Sequence, residues 1–319
     1  MMWPIVAVVA LFISACAAPP AEPIGLPAAD SCAVARPDFG AIAKADASVF
    51  AYDASAPLNL EKVVESASSG IEMSAISFRS PDGGSATGLL FDPVTRSSLR
   101  PGIVLMHGMP GSARGMIAQA QLLADYGAVV IAIDAPFARR SGEPIRFITQ
   151  DRAEQIQLMK DLQRAVDVLR ARPNVDSKRI AYVGFSYGGA MGALFAGIER
   201  RLKAAVLVVG DGGLVSHMTG PEDLSFMAGL SCGTRLDWFR SMVPIEPLRF
   251  ITDASPTELL LQSGRFDTLV PVADAQELHT TASAPKKIVW YDAGHGLNQQ
   301  AILDRLDWLH EEIGLDVRK

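Results

Sequence analysis

The sequence predicts an α/β protein: a mostly parallel eight-stranded sheet with helices on both faces and a small insertion after the sixth strand. Three observations carry that expectation. Short, nearly continuous apolar runs recur at Ile103–Met106, Val129–Ile133, Ile180–Val183, Ala204–Val209, Leu259–Gln262 and Ile288–Tyr291. Strands that are apolar at every position are buried on both faces, as in a parallel sheet covered by helices. Between these runs lie stretches with helical periodicity. One run, Ile180–Val183, passes through Gly184-Phe185-Ser186-Tyr187-Gly188-Gly189 directly into the helix-like Ala190–Ala196, a strand, turn and helix with a serine at the turn.

In chain order, residues 1–15 read as a signal peptide and 16–40 as a tether. Met1–Ala18 carries no charged side chain, and the apolar run Ile5–Ile13 is short for a membrane span. Ile13-Ser14-Ala15-Cys16 is similar to the lipobox of bacterial lipoproteins, which implies that Cys16 is lipidated and becomes the new N-terminus. The departure is the missing Lys or Arg before the apolar run, and a plain secretory signal or an uncleaved anchor is the alternative. Ala17 to Pro37 is Ala/Pro-rich, with Pro19, Pro20, Pro23 and Pro27 favouring an extended tether.

Residues 41–319 form the predicted folded domain. Ile71–Phe78 and Ala86–Phe91 flank Ser80-Pro81-Asp82-Gly83-Gly84, a hairpin signal that supplies the first two strands. The apolar runs supply the other six. A helix is expected between Ser112 and Gly127. Another spans Arg152–Arg172, where Ile156, Met159, Leu162, Val166 and Leu169 recur at spacings of three and four before Pro173. Residues 214–256, between the sixth and seventh strands, hold Met218, Phe226, Met227, Trp238, Phe239, Met242 and Phe250 without strand periodicity. They are expected to form a small cap over the active site, or else helices packed on the core edge.

Composition narrows the partners. The 319 residues are 49% hydrophobic and 20% charged, with a net charge of −6 and no basic run, which argues against nucleic acid. No nucleotide-binding glycine pattern is present, His217, His279 and His310 lack metal-ligand spacing, and neither cofactor nor metal is expected. Cys32 and Cys232 are either a disulfide, in the oxidising compartment an exported chain meets, or two buried free thiols.

The turn at Ser186 matches the G-x-S-x-G of a nucleophile elbow, whose flanking positions must lack side chains, hence Gly184 and Gly188. A serine hydroxyl needs a base to take its proton and an acid to orient that base. His279, His295 and His310 follow Ser186 with room for an acid between. His279 and His310 fall in or at the end of predicted helices, where a solvated surface role is expected. His295, in Ala293-Gly294-His295-Gly296 past the last strand, is the expected base. Asp267, after the seventh strand, is the expected acid; Asp211, after the sixth, is its competitor, and Asp292 lies awkwardly close to His295. The oxyanion donors are expected to be the backbone N–H groups of Tyr187 and of Met109, in the loop after the third strand. His107 in that loop is expected to structure it. Arg139 and Arg140 read as a solvated pair or as a clamp for an acidic group.

Together Arg172–Ile180, the Gly184–Gly189 elbow, Gly264-Arg265-Phe266-Asp267-Thr268-Leu269-Val270-Pro271 and Gly294-His295-Gly296 resemble the dienelactone hydrolase-like branch of the α/β-hydrolase superfamily. That branch shades into acetyl xylan esterases and prolyl oligopeptidase catalytic domains. The resemblance covers residues 70–312 and implies an α/β-hydrolase fold. Two departures matter: dienelactone hydrolases carry cysteine where this chain has Ser186, and the segment before Ile103 is too short for the β-propeller of prolyl oligopeptidases. Ser186 also argues against dehalogenases and epoxide hydrolases, which use aspartate there. The expectation is a serine hydrolase acting on a small-molecule acyl ester, with peptidase or amidase activity as the enzymatic alternative. A catalytically silent binding lipoprotein is the alternative from another class. The resemblance of Ile13–Cys16 to a lipobox implies a place in the bacterial cell envelope, with the chain held to a membrane by an N-terminal lipid and facing the periplasm.

Overall fold

The computed structural model describes residues 38–94, 98–219, 227 and 229–317. The signal peptide, most of the tether, Cys16 and Cys32 lie outside them. Among them nine strands form one mixed sheet: β1 (Glu61–Ser68), β2 (Ile71–Arg79), β3 (Ser85–Pro93), β4 (Arg100–Met106), β5 (Val129–Ile133), β6 (Val175–Phe185), β7 (Ala204–Val208), β8 (Glu258–Gly264) and β9 (Lys286–Tyr291). Their spatial order is β1-β2-β3-β5-β4-β6-β7-β8-β9. β1, β2 and β3 pair antiparallel, β3 pairs antiparallel with β5, and β5-β4-β6-β7-β8-β9 is parallel throughout.

All eight expected strands are present; β1 corrects the count to nine. Every residue of β1 is exposed, Val63 and Val64 included, so it has no buried face to imprint a period of two on the sequence. It is held instead by its ladder to β2. Ser69 and Gly70 join the two strands with positive φ at both positions, as a two-residue hairpin turn of type I′ requires.

Among the described residues seven α-helices accompany the sheet: α1 (Ile117–Asp125), α2 (Thr149–Arg170), α3 (Tyr187–Ile198), α4 (Leu214–Met218), α5 (Cys232–Met242), α6 (Val272–Thr281) and α7 (Gln299–Ile313). Alternate strand residues feed two separate cores. Val104, Met106, Val129, Ile131 and Ile133 pack with Leu158, Met159 and Leu162 of α2 and with α3. Ile103, Leu105, Val130 and Ala132 pack with Leu123 of α1 and Leu306, Leu309 and Ile313 of α7. Burying both faces explains the unbroken apolar runs of the parallel strands. Among the described residues no helix is long and apolar enough to cross a membrane.

The insertion at 214–256 divides in two. α4 lies against the cavity described below. α5 buries Trp238, Phe239 and Met242 in the first core, and the Trp238 indole N–H donates to Asp151 Oδ2 at 2.9 Å. One part therefore walls the site while the other packs on the core edge. Cys232, at the start of α5, is disulfide-bonded; its expected partner, Cys32, lies outside the described residues. Phe39 and Ile42 pack against the first core.

Candidate active site

The carboxyl ends of β4 and β6–β9 lie side by side, and ligands of open α/β sheets bind beyond such ends. Ser186 stands at one of these turns, between β6 and α3, with φ 55° and ψ −117°. A non-glycine residue is rarely held at positive φ, and such strain persists only where the surroundings impose it. Here the backbone is clamped: Ser186 N donates to Val208 O at 2.8 Å, and Ser186 O accepts from Ala190 N at 2.9 Å. The two elbow glycines are sterically required. A Cβ on Gly184 would stand 2.1 Å from Gly188 O, and one on Gly188 would stand 2.6 Å from Met106 O. The serine thus caps the amino end of a 12-residue helix, where backbone N–H groups favour negative charge.

Asp267 and His295 come together from the loops after β8 and β9. His295 Nδ1 lies 2.8 Å from Asp267 Oδ2, while Asp267 Oδ1 accepts from the amides of Leu269 and Val270, both at 2.9 Å. Burial opposes the charge on Asp267, but the bonds from His295, Val270 and Leu269 outweigh it and hold the carboxyl below its ordinary value. A carboxylate only accepts, so Nδ1 carries the proton and Nε2 is left as the basic nitrogen. The two loops can approach because Gly264 has no side chain; a Cβ there would stand 2.4 Å from Ala293 O. His295 packs edge-on against Phe185, the residue before Ser186. Asp292 is exposed and pairs with Arg265 at 3.1 Å, which removes it from the competition.

The loop after β4 runs against the serine: a Cβ on Gly108 would lie 3.2 Å from Ser186 Cβ. His107 shapes it, as expected. Its Nε2 accepts from Ala135 N at 3.0 Å and its Nδ1 lies 2.7 Å from Gly108 O, which fixes the neutral tautomer. Burial lowers its pKa, in keeping with that neutral form. His107, Phe137 and Tyr187 stack edge to face, and the buried Tyr187 hydroxyl donates to Gln155. Met109 and Tyr187 both line a cavity of about 560 Å³ with Ser186. Its walls are mostly apolar and include Ile145, Phe147, Leu214, Met218 and Val270.

Several candidates lie elsewhere than the sequence suggests. Asp211 is not bonded to His295; its Oδ2 lies 2.7 Å from His217 Nδ1, and this second pair lines the same cavity. Sequence reasoning passed over His217, although an acid six residues before a histidine, just past a strand, was there to be read. Arg139 and Arg140 are part-buried ion-pair partners, and neither lines the cavity. Arg139 pairs with the buried Asp161 and Arg140 pairs bidentately with Glu154, both from α2. His279 is buried, 3.0 Å from Ser263 Oγ and edge-on to Trp290, and burial pushes it down to about 4. His310 closes the end of α7 through Leu315 O.

This sheet, with a strained serine at the elbow and an Asp–His pair on the last two loops, defines an α/β hydrolase of the serine type. Within that class, residues 115–315 match the prolyl oligopeptidase family, and the chain belongs to that family. It is 24% identical over 173 residues to the acylamino-acid-releasing enzyme of Rattus norvegicus, covering 49% of this chain and 24% of that one. It is 26% identical over 242 residues to the uncharacterized peptidase YuxL of Bacillus subtilis, covering 70% of this chain and 35% of the relative. The chain thus spans a minor part of these two curated relatives. Among solved structures, the acetyl xylan esterase of Paenibacillus sp. R4 superposes with a TM-score of 0.67 at 21% identity, covering 80% of this chain and 89% of that one. Acetyl xylan esterase 1 of Thermoanaerobacterium sp. gives 0.68 at 15% identity, over 85% and 94%. A putative dienelactone hydrolase of Klebsiella pneumoniae gives 0.55 at 20% identity, over 76% and 98%. At these identities the likeness is one of fold.

Proposed function

We propose that the protein is a serine esterase that cleaves small acyl esters through an acyl-enzyme on Ser186. The observation that carries this reading is the Asp267–His295 pair, bonded at 2.8 Å on the two loops beyond a serine held at φ 55°. In the forward step Ser186 Oγ forms a bond to the acyl carbon while His295 Nε2 takes the hydroxyl proton. The carbonyl oxygen becomes an oxyanion held by the Met109 and Tyr187 amides. The C–O bond to the alcohol then breaks, and His295 returns the proton to the departing oxygen. Water repeats the sequence in reverse, freeing the acid and Ser186. Asp267 holds the imidazole in its working tautomer and balances the charge it gains. The apolar cavity suits an acyl or alkyl group.

Amide or peptide cleavage is the second reading, favoured by the family match and by the peptidase among the relatives; His295 would protonate the amine instead. The lipobox at Cys16 makes the protein a lipoprotein of the cell envelope, facing the periplasm, with Cys32 bridged to Cys232. A fluorophosphonate probe should label the wild type and not Ser186→Ala; an unlabelled wild type, as a silent binding protein would give, sinks the enzyme. In a panel of p-nitrophenyl acyl esters and aminoacyl anilides, hydrolysis of esters is the expected outcome. Turnover of the anilides alone would transfer the assignment to a peptidase.

A further inference from the structure

One wall of the cavity is fixed more tightly than a connecting loop requires. Pro144, Ile145 and Phe147, in the connection from β5 to α2, all line it. Phe147 sits at φ 55°. A bulky side chain at positive φ is an outlier that persists only where its surroundings impose it. The segment is held at both ends. Arg140 donates to Glu143 O at 2.8 Å and to Pro144 O at 3.0 Å, while Asp151 Oδ2 accepts from Arg146 N and Ile148 N, both at 3.2 Å.

Asp151 does more than begin its helix. Its bond to Ile148 N is the usual one from the third residue of a helix back to the cap. The bonds from Arg146 N and from the Trp238 indole, the latter at 2.9 Å, reach outside α2 and serve no capping need. Trp238 in turn backs Phe147, with ring centroids 5.2 Å apart. One fully buried carboxylate therefore fixes the backbone on both sides of Phe147 and the indole behind its ring. Burying that charge is costly unless its bonds are made, and here they are. Because Trp238 belongs to the first core, the Phe147 ring is backed by packed protein.

Resting on the esterase reading above, we propose that Phe147 is a specificity-determining residue that limits the length of the acyl chain, with Asp151 as its positioning residue. The acyl group stays on Ser186 until water releases it, so it is the part of the ester that an apolar cavity beside the serine holds longest. At roughly 30 Å³ for each water-sized group, a cavity of about 560 Å³ holds on the order of twenty non-hydrogen atoms of substrate. A p-nitrophenyl octanoate stays within that number, and a dodecanoate exceeds it. A wall that cannot retreat turns this volume into a limit. The substrate class is therefore the ester of a short or medium acyl group, of about eight carbons or fewer.

The test compares kcat/KM for p-nitrophenyl butyrate, octanoate and dodecanoate, each below its micellar concentration. Wild type should disfavour dodecanoate against octanoate by about tenfold or more, mainly through KM. Phe147→Gly, which the positive φ accommodates, should raise the dodecanoate-to-octanoate ratio by about tenfold, and Phe147→Leu should raise it less. Trp238→Phe keeps an aromatic ring behind Phe147 but loses the donor to Asp151, and should move the ratio in the same direction. Asp151→Ala should move it further, whereas Asp151→Asn, whose carbonyl still accepts, should stay nearer to wild type. Each ratio is read within one variant, so a loss of folded protein does not shift it. A wild type that takes dodecanoate as well as octanoate, or a ratio unmoved in both Phe147 variants, overturns the proposal. Asp151 variants that lower kcat equally for all three esters overturn its positioning role. Fluorophosphonate labelling separates the two readings: an unlabelled wild type defeats the esterase itself, whereas a labelled enzyme without the chain-length limit defeats only the role of Phe147.

Discussion

Two Asp–His pairs stand at the carboxyl edge of one sheet, nearly equal in length at 2.8 and 2.7 Å and opposite in construction. Asp267 and His295 are 28 residues apart and meet from loops after adjacent parallel strands, an approach that Gly264 makes sterically feasible. Asp211 and His217 are six residues apart on one turn and the short helix after it. Asp267 gains two further backbone amides; Asp211 gains one. The imidazole of the first pair packs on Phe185, next to the serine, and that of the second lines the cavity wall. An acid–imidazole bond alone does not mark a general base. What separates the pairs is where the rest of the fold puts the imidazole relative to Ser186.

The sharpest way to break the comparison is to remove each imidazole in turn. His295→Ala should lower kcat for a simple p-nitrophenyl ester by roughly 10⁴-fold, the usual scale for losing the base of a triad. His217→Ala should lower it by about tenfold or less, mostly in KM. Steady-state kinetics on the two purified variants decides the matter. If the two losses exchange places, His217 is the base and the loops after β8 and β9 only support the fold.

Changing the acids should give a smaller contrast of the same sign. Asp267→Asn keeps the shape but presents an amide that can enforce the wrong tautomer of His295, and a loss of about 10³–10⁴-fold in kcat is expected. Asp211→Asn should cost under about tenfold on the same simple ester. Steady-state kcat for p-nitrophenyl hexanoate, measured on the two purified variants side by side, supplies the check.

How much of this was legible in the sequence follows from how local each signal is. The elbow was readable because its glycine requirement is contained in six consecutive residues. Asp267 and His295 were readable because each follows an apolar strand and sits beside glycine. The mixed sheet was readable except for β1, whose residues are all exposed and so carry no burial pattern. Arg139 and Arg140 were misread because Asp161 and Glu154 reach them from α2, and such tertiary pairs leave no local trace. The burial of His279 is not legible, because its place on a helix does not say which face turns inward. His217 carries no such signal, because the serine-hydrolase template puts its acid and base on loops after successive strands. A pair closed within one turn falls outside that template.

The smallest expected effect is thermodynamic and concerns the buried carboxyl beneath the second pair. Glu246 is pushed up to about 7, first by burial and also by the charge of Asp211, against the pull of the Ser216 and Val215 amides. Because its folded value lies above its unfolded one, the folded state holds that proton more tightly. The stability it contributes is complete below about pH 4.5 and is lost as pH rises toward 7. His279 acts in the opposite sense: held neutral and pushed down to about 4, it lets the unfolded state bind the extra proton, so its contribution grows as pH rises from about 4 to 6.5. Each shift corresponds to roughly 3 kcal/mol, and over the shared window the two largely cancel. Urea unfolding across pH 4.5–7 should therefore give a nearly flat profile for wild type with respect to these groups. His279→Leu should unmask the fall caused by Glu246, and adding Asp211→Asn should shrink that fall by about 1 kcal/mol or less, since only the charge contribution is removed. A His279→Leu profile that still does not fall would mean that Glu246 ionises in the folded protein as it does in the unfolded chain. α4 would then rest on a charged carboxylate, and the floor beneath the Asp211–His217 pair would be wetter than its burial suggests.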